Sequence, residues 1–148
     1  MKSVTSRIRR SPRTASALAF GTGTLVLQHF AWRTDARMNG LIPCLTIAAG
    51  LVHAVAGAIT GPRLMDGAHT RTPSQAALLG AGTSLLALVL FAPLFTVFLF
   101  ATDIHPAGTL SYTAFPLLIA VFAFLADGWA LLVVSIGIGL ILHRVATH

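Results

Sequence analysis

Residues 72–102 read TPSQAALLGAGTSLLALVLFAPLFTVFLFAT and contain no Asp, Glu, Lys or Arg. An α-helix rises about 1.5 Å per residue, and about 20 apolar residues are needed to cross the hydrocarbon core of a bilayer. This stretch is long enough for one complete crossing. It therefore predicts a transmembrane helix over residues 74–101.

Three further stretches have the same apolar character. Residues 14–32 and 38–62 contain no Asp, Glu, Lys or Arg, and residues 104–143 contain only Asp127. Each of the three predicts one more transmembrane helix, and these helices lie at residues 14–32, 39–61 and 113–143. The last stretch has an alternative division into a crossing at 104–126 and a remainder at 128–142, which is short for a fifth crossing.

The composition of the whole chain agrees with an integral membrane protein. Of its 148 residues, 55% are hydrophobic and 9% are charged, and the mean hydropathy is +0.82. A soluble domain carries about 25% charged residues, and a disordered chain is poor in apolar residues. Both classes are therefore excluded. We predict one all-α transmembrane domain over residues 1–148, folded as a four-helix bundle.

The distribution of basic residues predicts the orientation of this bundle. Half of the ten basic residues lie in an N-terminal tail, residues 1–13: Lys2, Arg7, Arg9, Arg10 and Arg13. Basic residues favour the cytoplasmic side of a membrane. With the tail in the cytoplasm, only Arg33 and Arg37 lie on the outer side. The sequence thus predicts a multi-pass protein with both termini cytoplasmic, in the inner (plasma) membrane of a bacterium.

The same tail accounts for much of the formal charge of +6. No aromatic residues alternate with its basic residues, as they do in many RNA-binding surfaces. A basic segment beside a membrane span is suited to anionic lipid headgroups. We expect the lipid bilayer as the partner of this chain, and no nucleic acid.

Local motifs indicate where the helices begin and end. Ser11-Pro12 is typical of a helix N-cap followed by a first-turn proline. Thr72 to Gln75 has the pattern of a capping box before the third span. Gly61 and Pro62 predict the end of the second span.

Small residues at intervals of four predict where helices pack, since lipid-embedded helices associate through close backbone approach. The predicted packing residues are Gly50, Ala54, Gly57, Gly61, Gly80 and Ser84. These contacts could lie within one bundle or between protomers, so a homo-oligomer and a larger membrane complex are both compatible with the pattern. Pro93 predicts a kink in the third span, because it cannot donate a hydrogen bond to the carbonyl of Val89.

Three polar residues are predicted close to the middle of the bilayer. Asp127 is an ionisable residue within an otherwise apolar run, and such residues face the protein interior or a partner. His53 and Thr24 lie at a similar depth in the second and first spans. A Thr24–His53–Asp127 cluster could relay protons, or it could be a static hydrogen-bonded contact that fixes helix register.

In the predicted cytoplasmic loop, residues 61–73, the polar residues Arg63, Asp66, His69 and Arg71 also allow two interpretations. They could bind a phosphate or a lipid headgroup. They could equally form a solvated loop whose charge sets the orientation of the chain.

The sequence favours a non-enzymatic membrane component, either an accessory subunit or a self-associating helix bundle. No glutamate and no Cys-x-x-Cys, Walker or Gly-x-Ser-x-Gly motif occurs, so no catalytic residue and no metal site is predicted. We expect no haem b, because the histidines of the spans lie at different depths. Two alternatives remain: a proton-linked carrier or channel that uses Asp127 and His53, and a membrane redox or lipid-modifying enzyme.

Overall fold

The computed structural model describes residues 11–32, 41–66, 68–101, 118, 121 and 128–147. Every regular element within these residues is helical, which confirms the predicted all-α class. Four α-helices occur in chain order, and a short 3-10 helix, Ala68–Thr70, lies between the second and the third. The four are α1, Pro12–Trp32; α2, Leu41–Met65; α3, Pro73–Ala101; and α4, Trp129–Thr147.

Three of these helices are long and apolar enough to cross a membrane. The segments that meet this criterion are Leu45–Met65 in α2, Pro73–Val97 in α3 and Trp129–Thr147 in α4. Helix α1 is 21 residues long, but it carries more polar residues than the other three. The structure thus supports a multi-pass membrane protein.

Helices α1 and α3 begin at the predicted caps. Ala15 donates its backbone N–H to the carbonyl of Ser11 at 3.0 Å, which closes the first turn of α1. At the start of α3, Thr72 N–H donates to Gln75 Oε1 at 3.1 Å and Gln75 N–H donates to Thr72 Oγ1 at 3.4 Å. This reciprocal pair is a capping box, which satisfies backbone donors that no helical carbonyl can reach.

The predicted end of the second helix at Gly61 is wrong. Helix α2 continues through Pro62 to Met65, and Asp66 N–H donates to the Pro62 carbonyl at 2.9 Å. Proline removes one hydrogen-bond donor from a helix, but packing on a neighbouring helix can compensate for the loss. The helix is held here because Gly61 packs directly on α1.

Helices α1 and α2 form an antiparallel pair in close contact. A Cβ atom added to Gly61 would lie 2.7 Å from the carbonyl oxygen of Pro12, near the start of α1. A Cβ added to Gly50 would lie 2.6 Å from Leu25, in the second half of α1. As the residue number falls along α2, it therefore rises along α1.

Helices α3 and α4 are also antiparallel and also meet at glycines. The position of a Cβ on Gly80 is occupied by the backbone of Ser135, and a Cβ on Gly139 would lie 2.7 Å from the carbonyl oxygen of Ala76. A chain that made a fifth complete crossing between α3 and α4 would leave these two helices parallel. Their antiparallel contact favours a single final crossing.

The boundaries of that final crossing differ from the prediction. A helix over residues 113–143 is predicted, whereas α4 runs from Trp129 to Thr147. Its C-terminal end is extended because Leu142 and Ala146 are buried against the 3-10 helix and α3. Of residues 113–127, only Leu118 and Val121 lie among the described residues, and both are helical.

The buried and exposed side chains are distributed as in a membrane protein. The buried apolar residues of the described segments are mainly alanines, and nine polar residues are buried with them. Large apolar side chains lie on the outside, including Leu18, Leu51, Leu78 and Val133, each more than 60% exposed. Water would oppose such a surface, whereas lipid tails match it.

Candidate functional site

Helix α1 carries a row of buried residues spaced by four. Ser16, Phe20, Thr24 and Gln28 are between 0% and 9% exposed. Ser16 and Phe20 contact α2 at Gly57. Because residues four apart share one face of a helix, this row gives α1 a polar inner face.

His53 of α2 lies in the same interior and is only 4% exposed. Its Nδ1 atom is 3.0 Å from the carbonyl oxygen of Ala49. A carbonyl oxygen can only accept a hydrogen bond, so Nδ1 carries the proton in this contact. In the neutral ring, Nε2 is then an acceptor, and within the part of the chain that the structure describes it is buried without a partner.

The contacts between α1 and α2 bring Thr24 and His53 into the same part of the interface. A Cβ on Gly21 would lie 3.0 Å from Ala54 Cβ, and a Cβ on Gly50 would contact Leu25. These two contacts enclose residues 21–25 of α1 and residues 50–54 of α2. Thr24 and His53 therefore lie at a similar height along the two helices, which is compatible with their predicted depth.

Gln28 is a polar residue of this region that the sequence analysis missed. Its side chain is 9% exposed, and its Oε1 atom is buried without a hydrogen-bond partner among the described residues. Helical side chains lean towards the N-terminus of their helix, so Gln28 leans towards Thr24. Ser16, Thr24 and Gln28 are separated by eight and four residues, which places them on one face of α1, and this spacing was the signal that could have identified Gln28.

This arrangement provides unpaired acceptor atoms in a buried interior. Among the described residues, Nε2 of His53 and Oε1 of Gln28 each lack a donor, and an unsatisfied buried polar group costs about 1–3 kcal/mol. A proton, a water molecule or a protonated carboxyl group would supply what these atoms lack. The site therefore offers two hydrogen-bond acceptors, and the ring of His53 is oriented by its contact with the carbonyl of Ala49.

The other predicted residues fall into three groups. Asp127 lies outside the described residues. The predicted packing residues lie at helix contacts or are buried, with Gly50, Ala54, Gly57 and Gly61 against α1, Gly80 against α4, and Ser84 6% exposed. Pro93 lies within the continuous helix α3, on its exposed side.

An apolar groove of about 650 Å³ lies between α1 and α4, apart from the polar residues of the interior. Residues of α1 between Leu18 and Leu27 line one wall, and Val134 and Ile138 line the other. Among the described residues, no group of three His, Cys, Asp or Glu side chains could hold a metal ion. Comparison of the chain with protein-family models, with curated proteins and with solved structures gives no match.

Proposed function

We propose that this chain is a non-enzymatic component of a membrane, a four-helix bundle whose helices all cross the bilayer and whose two termini lie in the cytoplasm. The observation that carries the proposal is the distribution of side chains. Small and polar residues are buried between the helices, and large apolar residues cover the surface. That surface includes α1, where Leu18 is 65% exposed and Val26 is 51% exposed. The polar residues of α1 lower its hydropathy, but they face the protein.

The direction of the helices supports an even number of crossings. Gly61 meets the start of α1, Thr60 meets Thr83 of α3 at 2.8 Å, and Gly139 of α4 meets Ala76. Each helix is thus antiparallel to the next, and the start of α1 and the end of α4 lie on one face of the bundle. The excess of basic residues at this end favours the cytoplasmic face.

Fusion proteins test the proposed topology. A fluorescent protein that folds only in the cytoplasm and a phosphatase that is active only outside it are fused to the C-terminus in parallel. We expect fluorescence without phosphatase activity. Phosphatase activity without fluorescence would contradict the proposal and would favour a fifth crossing at residues 104–126.

The proposed role as a component of an assembly is tested separately by mass. The close glycine contacts are made within the chain, so an assembly would use the exposed apolar surface of the helices. We expect the chain, purified in mild detergent, to have the native mass of an oligomer or of a complex with other proteins. A strictly monomeric mass at all protein concentrations would contradict this role.

A proton-linked carrier or channel is a second candidate, and the unpaired Nε2 of His53 favours it. A buried imidazole with a free acceptor can take up and release a proton. Its predicted partner is Asp127. Proton exchange is measured in vesicles for the wild type, His53→Leu and Asp127→Asn, and exchange at the wild-type rate in both variants would exclude this candidate.

A further inference from the structure

Arg71 differs from the other arginines that the structure describes. Arg13, Arg63 and Arg144 are exposed, whereas Arg71 is half-buried. Its Nη1 atom is buried and has no hydrogen-bond partner among the described residues. A guanidinium group stays protonated in proteins, so this nitrogen is a buried cationic donor that lacks an acceptor.

His143 supplies a second unpaired nitrogen at the same end of the molecule. Its side chain is 9% exposed, and within the described part of the chain Nδ1 is buried without a partner. The preceding residue, Leu142, is buried in one apolar cluster with Ala68 of the 3-10 helix. Ala68 is also the residue whose carbonyl accepts the backbone N–H of Arg71, at 3.3 Å. Arg71 and His143 therefore both belong to the region where the 3-10 helix contacts the last turns of α4.

The N-terminus of α3 adds positive potential at this position. Helix α3 begins at Pro73, two residues after Arg71, and has 29 residues. The first turn of a helix carries a partial positive charge and favours anions. Asp66 is the only acid among the described residues, and its side chain is exposed.

We propose that Arg71, His143 and the first turn of α3 form a binding site for a phosphate group, carried by a lipid headgroup or by free phosphate. A phosphate supplies an acceptor for Nη1 of Arg71 and a hydrogen-bond partner for the ring of His143, two groups that have no partner among the described residues. A phosphate oxygen accepts from Nη1 of Arg71 and from Nδ1–H of His143. The depth of the site rests on the topology proposed above, in which the basic end of the helices lies at the depth of the cytoplasmic headgroups.

Binding is measured on the full chain in detergent with three soluble probes: dihexanoyl phosphatidic acid, dihexanoyl phosphatidylcholine and inorganic phosphate. We expect phosphatidic acid to bind more tightly than phosphatidylcholine, whose phosphate is screened by its own cation. Tighter binding of phosphatidic acid than of inorganic phosphate identifies a lipid headgroup as the ligand. Equal binding of the two identifies free phosphate. Binding of neither probe overturns the proposal.

Matched arginine variants locate the binding. Arg71→Gln is expected to weaken phosphate binding about tenfold, because a charge-assisted hydrogen bond is lost. Arg63→Gln removes an exposed charge at the same end of the helix bundle and is expected to change phosphate binding by less than about twofold. An equal loss in the two variants would show unspecific charge attraction and would overturn the site.

A measurement on the wild type keeps the proposal testable if Arg71→Gln does not fold. A ligand that binds only the native state raises the unfolding temperature. Phosphatidic acid or phosphate should raise it for the wild type and for Arg63→Gln. No rise with either probe, at a concentration that saturates binding, would overturn the proposal.

Discussion

Thr60 Oγ1 and Thr83 Oγ1 lie 2.8 Å apart and join α2 to α3 by a side-chain hydrogen bond. Each hydroxyl also lies within hydrogen-bond distance of a carbonyl in its own helix, Ala56 O at 3.0 Å for Thr60 and Leu79 O at 2.8 Å for Thr83. A hydroxyl has one hydrogen to donate. If Thr83 donates to Leu79, it is free to accept from Thr60.

Removing this hydrogen bond is expected to weaken the α2–α3 contact. Replacement of Thr83 by Val keeps the shape of the side chain and removes the hydroxyl. We expect a loss of about 0.6–1.7 kcal/mol in the free energy of unfolding, the range for hydrogen bonds between membrane helices. Equilibrium unfolding in mixed detergent micelles measures the change.

A double-mutant cycle isolates the pair. Thr83→Val and Thr60→Val should together cost less than the sum of the two single changes, because both remove the same bond. Thr22→Val is a matched control, since Thr22 is exposed on α1. If the losses of unfolding free energy in Thr60→Val and Thr83→Val were strictly additive, the two hydroxyls would not interact in the micelle-embedded protein.

Glycine contacts make a second prediction, and α4 offers a matched pair. Gly139→Ala would place a Cβ atom 2.7 Å from the backbone oxygen of Ala76, whereas Gly137→Ala would meet nothing within 4 Å. Overpacking of this kind costs about 1–3 kcal/mol. In an open position, alanine stabilises a helix by about 0.5–1 kcal/mol relative to glycine. The two variants should therefore shift the unfolding free energy in opposite directions.

The same comparison on α3 serves as an independent check. Gly80 packs against the backbone of Ser135, while a Cβ on Gly82 would have open space around it. If Gly80→Ala and Gly82→Ala were equally stable, the close approach of α3 and α4 would not exist in the membrane. The intervals of four in the sequence already make this distinction, because Gly80 has the small residues Ala76 and Ser84 four positions away, whereas Gly82 has Leu78 and Leu86.

How far the sequence predicts the fold depends on which physical signal each residue carries. The capping box at Thr72 and Gln75 could be predicted because both partners are local, and the structure confirms it. The end of α2 could not, because the contact that holds Gly61 and Pro62 in a helix comes from Pro12, far away in the sequence. The expectation that proline ends a helix rests on the neighbouring residues alone and takes no account of packing against another helix.

The candidate sites show the same limit. His53 and Thr24 were identifiable as polar residues within apolar runs, and the contacts between α1 and α2 place them at a similar height along the two helices. Arg71 was one of four polar loop residues that the sequence could not tell apart, and His143 carried no signal because it lies near the end of a helix, where polar residues are common. Only the burial of their nitrogen atoms distinguishes them.

Helix α1 makes a third prediction, which concerns insertion into the membrane. Its hydropathy is low because it contains polar residues such as Thr24 and Gln28. These two side chains are buried, whereas Val26 is 51% exposed. If α1 crosses the bilayer, Val26→Asp places a carboxylate in lipid and costs about 2.5–3.5 kcal/mol of insertion free energy. A glycosylation assay of helix insertion measures this cost, with Val26→Leu as the control. Unchanged insertion of Val26→Asp would mean that α1 lies outside the hydrocarbon core.

His53 makes the last prediction, because its unpaired Nε2 has opposite consequences for stability and for function. If the ring has no native partner, His53→Leu removes an unsatisfied buried acceptor and should raise the free energy of unfolding by about 1 kcal/mol. His69→Leu changes an exposed histidine and should shift the stability by less than about 0.5 kcal/mol. A gain in stability together with a loss of proton exchange in vesicles would assign His53 to transport, since a residue kept only for packing has no reason to reduce stability. A loss of stability beyond about 1 kcal/mol would show instead that Nε2 has a partner in the membrane, and the unpaired acceptor would then be no argument for proton transfer.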